Sequence, residues 1–314
     1  MNDRVNPALR VRQTSLGDLK NITASGHLYV VVDACSVPLA PAKVVERGSQ
    51  QAVSLYSGSA EEEFWEVAPY LMRVDELVLS WILETSSKVE GWGIFIASRA
   101  DMETLRRHLR HFLKVQAPDG DIWMFRFYDP RVMRPFLTTS DAGELRSFLG
   151  PILAYGLTAE DGQSVEFFQP PQNVLPDDPL KYQFLFRLRT EHLVGFQPLI
   201  ERDFVTRLCE HIRKYHAAAT EGMSDDVLRQ RVMNGVARAK GYGLQLEATL
   251  AGFVALMFEF APNFDKHASF HEILRDPEVP PEKRVDELVD LSSEEDWEAV
   301  EKNSDPAAWA AQES

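Results

Sequence analysis

A proline-rich segment, QPPQNVLPDDP, runs from Gln169 to Pro179 and separates two kinds of sequence. Before it, short runs of β-branched and aromatic residues alternate with a helical pattern, and after it apolar residues recur at helical spacing. Proline interrupts helices and central strands, so neither pattern continues through this segment. The chain has 314 residues, and one hydrophobic core stops growing comfortably at roughly 250. We therefore predict an α/β lobe, with a mixed sheet and flanking helices, followed by an all-α lobe.

Four segments of the first lobe have the composition of strands. They are Leu28 to Asp33 (LYVVVD), Ala52 to Tyr56 (AVSLY), Trp92 to Ala97 (WGIFIA) and Ile122 to Tyr128 (IWMFRFY). An amphipathic helix with a basic outer face lies between the last two, beginning at Ser98 and ending before a turn at Pro118. The order of strand, helix, turn and strand predicts a βαβ unit.

Helical periodicity dominates the second lobe and predicts a small helical bundle. Its helices are predicted at Asp203 to Tyr215, Asp225 to Lys240 and Leu244 to Phe260. Residues 276–314 contain thirteen acidic against three basic residues, and the end from Asn303 to Ser314 is polar and predicted to be disordered. The expected domains are an N-terminal extension at 1–27, an α/β domain at 28–168, a linker at 169–179, a helical lobe at 180–290 and an acidic, partly disordered tail at 291–314.

Charge and cysteine content restrict the function. A net charge of −15 argues against binding to nucleic acid, which needs an excess of Lys and Arg. Cys35 and Cys209 have neither metal-ligand nor disulfide-framework spacing, which favours a reducing compartment. The N-terminus lacks the apolar stretch of a secretory signal, and the most apolar segment, 244–262, is interrupted by two glutamates. We therefore expect a cytoplasmic protein with no membrane partner.

The usual catalytic motifs do not occur, because the sequence contains no GxxxxGK[ST], GxGxxG or GxSxG. His267 and His271 have the spacing of a zinc-binding helix but lack the glutamate of HExxH, so no metal is expected there. His108 and His111 lie one turn apart beside arginines that would repel a cation, which predicts a solvated basic face. Cys35 has no obvious base nearby and is expected to be a small buried hydrophobe.

Asp33 and Asp129 are the best candidates for catalysis. Each stands at the C-terminal end of a predicted strand, where open α/β sheets place their ligands, and two carboxylates there could hold Mg²⁺. Arg126 gives the competing interpretation, because a charge within an apolar strand needs a partner if it is buried, and Asp33 could be that partner. The structural interpretation is favoured, and a metal-dependent phosphohydrolase stays as the alternative.

The segment FRFYDPR, Phe125 to Arg131, resembles a motif of the domain-of-unknown-function 4123 family of type VI secretion adaptors. Tyr29 and Asp33 fill the first-strand positions of that family, and Trp92 to Phe95 those of its third strand. Two further segments are similar to the family, FLGPI at Phe148 to Ile152 and the helical stretch at Gly235 to Asp265. The resemblance assigns structural motif positions to Tyr29, Asp33, Trp92, Phe95 and Pro130.

What the resemblance implies is a non-enzymatic adaptor or chaperone. Such a protein binds a toxic effector and helps load it onto the valine-glycine repeat (VgrG-type) spike protein, without a cofactor. A third possibility, an immunity protein that neutralises a toxin, also suits an acidic binding protein.

Arg126, Tyr128, Asp129 and Arg131 are the predicted partner-binding residues, because a strand end rich in Arg and Tyr suits an interface anchor. The alternative is that Asp129 caps the following helix and Arg126 is a buried strut. Residues 98–134 contain eight basic and five acidic residues. Together with the acidic tail, this basic segment could steer two different partners.

Overall fold

The computed structural model describes residues 9–15, 18–19, 28–159, 164–169 and 184–310. The chain forms two compact units, residues 1–197 and 198–314. The first contains strands and helices and the second is helical, so the predicted fold class is confirmed. The predicted linker lies outside the described residues, apart from Gln169.

The main sheet of the first unit has seven strands, and every neighbouring pair is antiparallel. Its strands are β1 (Arg10–Ser15), β2 (Leu28–Asp33), β3 (Ala52–Ser54), β4 (Pro69–Arg73), β5 (Gly93–Ser98), β8 (Ile152–Thr158) and β9 (Ser164–Gln169), and their order is β1-β9-β8-β5-β2-β4-β3. All six residues of β2 are buried, because this strand lies between β4 and β5 and both of its faces are covered.

Helices pack on both faces of this sheet. They are α1 (Ala40–Arg47), α3 (Glu76–Ser86), α4 (Met102–His111), α5 (Pro130–Thr139) and α6 (Ala142–Leu149). The short helix α2 (Ser59–Glu63) has no buried residue. Side chains of β2 alternate between the faces. Tyr29 and Val31 share a core with α4, α5 and α6, whereas Val30 and Val32 share another core with α1 and α3.

The predicted βαβ unit is wrong. Helix α4 begins after Asp101, whose side chain accepts a hydrogen bond from the Thr104 amide, and Ser98 is the last residue of β5. The chain then forms β6 (Lys114–Gln116) and β7 (Ile122–Met124), which pair antiparallel in a separate three-stranded sheet with β10 (Phe186–Arg187). The connection between β6 and β7 is too short for a crossover, so it can form only a hairpin. The parallel pair is β10 with β6.

The second unit is a helical assembly, as predicted. Its helices are the C-terminal part of α7 (Thr190–Tyr215), α8 (Asp225–Gly241), α9 (Glu247–Glu259), α10 (Ala268–Arg275), α11 (Arg284–Leu291) and α12 (Glu294–Lys302). The apolar α9 is central, and Phe253, Val254 and Met257 are buried in the core of this unit. Among the described residues, no helix is both long and apolar enough to span a membrane.

The acidic C-terminal segment packs on this core as far as the structure describes it, through Ala310. Val300 is buried, Trp297 stacks on Phe260 with ring centroids 4.1 Å apart, and Trp309 lies 4.6 Å from Phe258. A capping box formed by Ser293 begins α12. Residues 303–310 were predicted to be disordered from their polar composition, but they carry an aromatic anchor, Trp309, that packs on the helical core.

This packing predicts that the acidic segment stabilises the helical unit. Replacing Trp297 with Ala should lower the free energy of unfolding by about 2 kcal/mol, because a large aromatic contact is lost. The matched control is Leu291→Ala, which truncates an exposed side chain and should leave stability within about 0.5 kcal/mol of wild type. Denaturant unfolding followed by circular dichroism measures both, and equal stabilities for the two variants would contradict the packing.

Candidate functional site

The carboxyl end of β2 is organised by a buried carboxylate. Asp33 is 0% exposed and accepts hydrogen bonds from the Cys35 amide (3.0 Å) and the Ser36 hydroxyl (3.4 Å). Its own amide donates to the Trp92 carbonyl (2.9 Å) and so ties this strand end to the residue before β5. Asp33 therefore fixes the loop that follows β2.

Arg126 forms an ion pair with Asp33. The side chain of Arg126 is 42% exposed although that of Asp33 is not exposed at all, so the pair spans from the interior to the surface. Burial opposes the charge on Arg126, but the Asp33 carboxylate outweighs this effect and raises the pKa of the guanidinium. The pairing that the sequence suggested as the structural alternative is thus present.

Two tyrosines and a cysteine surround this ion pair. Burial and the charge of Asp33 raise the pKa of the Tyr128 hydroxyl. Burial likewise raises the pKa of the Tyr56 hydroxyl, and interaction with Tyr128 partly offsets this. Cys35 is exposed rather than buried as expected, because it lies in the loop beyond the strand. Partial burial of the sulfur, and after it the negative charge of Asp33, raise the pKa of the Cys35 thiol. A protonated thiol is a poor nucleophile.

Asp129 begins helix α5. The prediction that it stands at the end of a strand is therefore wrong. Strand β7 ends at Met124, and the Asp129 side chain caps α5 by accepting from the Arg131 amide (2.9 Å). The Arg131 guanidinium binds the same carboxylate through Nε (3.0 Å) and Nη2 (2.7 Å). Pro130 occupies the first helical turn, where its missing amide costs nothing.

The same guanidinium also covers Gly91, which has a positive φ of 70°. A Cβ at Gly91 would lie 3.1 Å from Arg131 Nη2. Arg131 thus links the start of α5 to the turn that precedes β5.

Each candidate catalytic carboxylate is therefore bound by its own arginine. Asp33 is paired with Arg126, and buried Asp129 is paired with Arg131. Within the described ranges, no group of three or more His, Cys, Asp or Glu side chains is placed to hold a metal ion. This geometry fits a structural role for both carboxylates better than the coordination of Mg²⁺.

The remaining motif residues hold the sheet together. The Tyr29 hydroxyl donates to the Ala100 carbonyl (2.9 Å), and Trp92 Nε1 donates to Thr158 Oγ1 (3.2 Å). Phe95 is buried and packs edge-to-face on Trp92 with ring centroids 5.3 Å apart. Gly93 lies between these two residues in sequence. A Cβ there would overlap the Val31 carbonyl, so the close approach of β5 to β2 requires glycine.

The sequence predicted that His108 lies on a solvated face, and this prediction is wrong. It is buried, and its Nε2 lies 2.9 Å from the Phe148 carbonyl oxygen, which assigns the proton to Nε2. Burial lowers the pKa of His108 to about 4. A Cβ at Gly150 would overlap the imidazole, so the FLGPI segment closes over this histidine.

The histidines of α10 do not share a ligand. His267 Nδ1 lies 3.0 Å from Ser269 Oγ, whereas His271 Nδ1 lies 3.2 Å from the Asp265 carbonyl oxygen and 3.3 Å from the Tyr242 hydroxyl. Each imidazole is thus oriented by its own polar partners.

A segment that contacts Cys35 carries exposed aromatic side chains that were not among the predicted site residues. The thiol of Cys35 is 3.6 Å from the carbonyl oxygen of Val67, which ends the segment AEEEFWEV. Phe64 and Trp65 in this segment are exposed. Two aromatic residues among four glutamates form the signal that could have drawn attention to it.

Comparison with known proteins finds a family match within the first unit. Residues 28–147 match the family described as Domain of unknown function (DUF4123). The predicted resemblance to this family is confirmed over that range. The similarity proposed for Gly235 to Asp265 lies outside the match and stays a prediction.

A curated relative is the Accessory protein VasW of Vibrio cholerae serotype O1. It is 32% identical to this chain over 95 residues, which are 30% of this chain and 32% of the relative. The match thus spans about a third of the length of the relative. No solved structure matches this chain.

The Asp33–Arg126 pair should contribute to stability. Replacing Arg126 with Ala leaves a buried carboxylate without its counter-charge, so the free energy of unfolding should fall by about 2 kcal/mol, less than for a fully buried pair because the arginine is partly exposed. A double-mutant cycle with Asp33→Asn should give a coupling energy of about 1 kcal/mol. The control is Lys88→Ala, which breaks an exposed pair with Glu84 and should cause no measurable change. A coupling energy of zero would contradict the role of Arg126 as a structural partner of Asp33.

His108 should make the fold sensitive to acid. Because its pKa is about 4 in the folded protein and about 6.5 in the unfolded chain, the unfolded state binds the proton more readily between these values. The contribution of the neutral His108 imidazole to stability is therefore fully present above pH 6.5 and is lost as the pH falls towards 4. By pH 5 the free energy of unfolding should have fallen by about 2 kcal/mol. Denaturant unfolding of wild type and His108→Gln at pH 7.5 and pH 5 measures this change in the free energy of unfolding. An equal decrease in both proteins between the two pH values would contradict the role of His108.

Proposed function

We propose that the protein is a non-enzymatic adaptor of the type VI secretion system, acting in the cytoplasm. It binds a toxic effector and helps load it onto the VgrG-type spike protein. The DUF4123 domain and the similarity to a protein named as an accessory protein support an accessory role. The observation that carries the proposal is the pairing of Asp33 and Asp129 with arginines. Because each candidate catalytic carboxylate already has an arginine partner, both fit a structural role.

The proposed partner-binding residues divide into an outer and an inner pair. The guanidinium groups of Arg126 and Arg131 are partly exposed and can reach a partner. Tyr128 and Asp129 are buried and support the two arginines. Asp129 orients Arg131, and the neutral Tyr128 hydroxyl packs beside the Arg126–Asp33 pair. An arginine held in position by a buried acid loses little conformational entropy on binding, which suits an interface anchor.

We further propose that each unit offers one surface, one to the effector and the other to the spike. The basic face of α4 contributes less to steering than its sequence suggested, because Arg106 donates to the Ser54 and Tyr56 carbonyls and Arg110 binds the Ser57 hydroxyl. These arginines hold a loop of their own unit.

The test is co-purification of the tagged protein with the spike protein and the candidate effectors encoded beside it, with and without a metal chelator. Under the proposal, a complex with the effector forms in both conditions. A chain that binds no partner, but whose melting temperature rises with Mg²⁺ or Mn²⁺, would instead favour the phosphohydrolase. Survival of toxin-expressing cells through this protein alone would favour the immunity protein.

Arg131→Ala should separate an interface anchor from a strut. The Asp129 cap on the backbone remains in this variant, but the buried carboxylate loses its counter-charge, so the melting temperature should fall modestly, whereas affinity for the partner, measured well below that temperature, should fall about tenfold or more. Arg107→Ala removes an exposed arginine of α4 and is the control, with unchanged affinity expected. Calorimetric titration and thermal unfolding measure the two quantities. A lower melting temperature with full binding would contradict the interface role.

A further inference from the structure

Residues 59–67 expose an apolar surface next to the site described above. This segment consists of α2 and a 3₁₀ turn at Trp65–Val67, and we call it the acidic–aromatic turn. Phe64 is 51% exposed, Trp65 is 48% exposed and Val67 is 40% exposed. Single exposed apolar side chains are common, but two adjacent aromatic residues and a valine form a patch of the kind that marks interaction sites.

The turn is held rigidly by hydrogen bonds. The Phe64 amide donates to the Ala60 carbonyl and the Val67 amide to the Phe64 carbonyl, both at 3.1 Å. The buried Tyr70 donates its hydroxyl proton to the Trp65 carbonyl at 2.6 Å. The aromatic side chains are thus presented by a preorganised backbone, and their immobilisation by a partner costs little further entropy.

Arg106 of α4 fixes the chain that enters the turn. Besides its bonds to the carbonyls of Ser54 (2.8 Å) and Tyr56 (3.2 Å), its guanidinium lies 3.4 Å from the Glu61 carboxylate. Glu61 is therefore neutralised within the unit.

The charge around the aromatic pair is negative. Glu62, Glu63 and Glu66 are exposed, and the segment 59–67 contains neither Lys nor Arg. A partner that places apolar side chains on Phe64 and Trp65 must bring its flanking residues next to these carboxylates. Complementarity therefore requires Lys or Arg on either side of the partner's apolar anchor, since acidic neighbours would be repelled.

The acidic–aromatic turn is continuous with the proposed partner-binding site. Cys35 connects them, because its thiol contacts the Val67 carbonyl and its amide donates to Asp33, the partner of Arg126. The end of the turn is thus joined through exposed Cys35 to the loop that Asp33 and Arg126 hold.

We infer that the acidic–aromatic turn docks a basic segment of the effector, with an apolar side chain on Phe64 and Trp65 and flanking Lys or Arg residues on Glu62, Glu63 and Glu66. This inference rests on the proposed adaptor function. The effector is the better fit, because an adaptor must release its cargo, and contacts with exposed carboxylates form quickly and are screened by salt.

The test compares purified effector and spike as separate probes. Phe64→Ala combined with Trp65→Ala removes the apolar anchor and should weaken effector binding about tenfold or more, with spike binding unchanged. Glu62→Lys combined with Glu63→Lys keeps the aromatic pair and should weaken effector binding most at low salt. Leu77→Ala truncates a side chain that is 77% exposed on α3 and is the control, with unchanged affinity expected. Melting temperatures should be equal to that of wild type for Leu77→Ala and the charge-reversal variant, and slightly lower for the aromatic variant, because about half of each ring is buried.

Each result is decisive. Loss of effector binding in both double variants, with Leu77→Ala unaffected, supports the inference. Effector binding that both double variants retain overturns it and leaves the adaptor function intact, as does a loss of spike binding alone. If the wild-type chain binds neither probe, the proposed function fails and the inference fails with it. Should the aromatic double variant unfold, the charge-reversal variant decides alone.

Discussion

The fold of the first unit depends on a buried carboxylate at the end of its central strand. Asp33 cannot remain charged in the interior without donors and a counter-charge, and it obtains them from the following loop and from Arg126. This requirement draws the chain after β7 against the end of β2. Asp129 and Arg131 then repeat the arrangement at the first turn of α5. Two acid–arginine pairs thereby shape the surface that we assign to partner binding.

Much of the fold could be predicted because its strands and helices carry strong periodic signals. The buried run of β2 follows from its unbroken series of β-branched and apolar residues. The hairpin of β6 and β7 was missed because Lys114 to Gln116 is only three residues long and directly follows a helix. Residues 303–310 were predicted to be disordered because of their polar composition, and Trp309 finds the partner of its ring only in the folded unit.

The site could be predicted in its residues but not in its geometry. The sequence correctly offered Arg126 as the partner of Asp33, since a charge within an apolar run has few alternatives. It placed Asp129 at a strand end because the strand was drawn four residues too long, to Tyr128 instead of Met124. Burial of His108 under Gly150 could not be read from a basic helix, because it depends on a contact between segments far apart in sequence.

The central claim is that the surface around the Arg126–Asp33 pair and the acidic–aromatic turn binds a protein partner. Hydrogen–deuterium exchange of the chain, alone and with purified effector, tests this most directly. The account predicts slower exchange in residues 59–67 and 126–131 when the effector is added, with β2 unchanged because it is already buried and hydrogen-bonded. Unchanged exchange throughout residues 28–147 in the presence of a bound effector would contradict it.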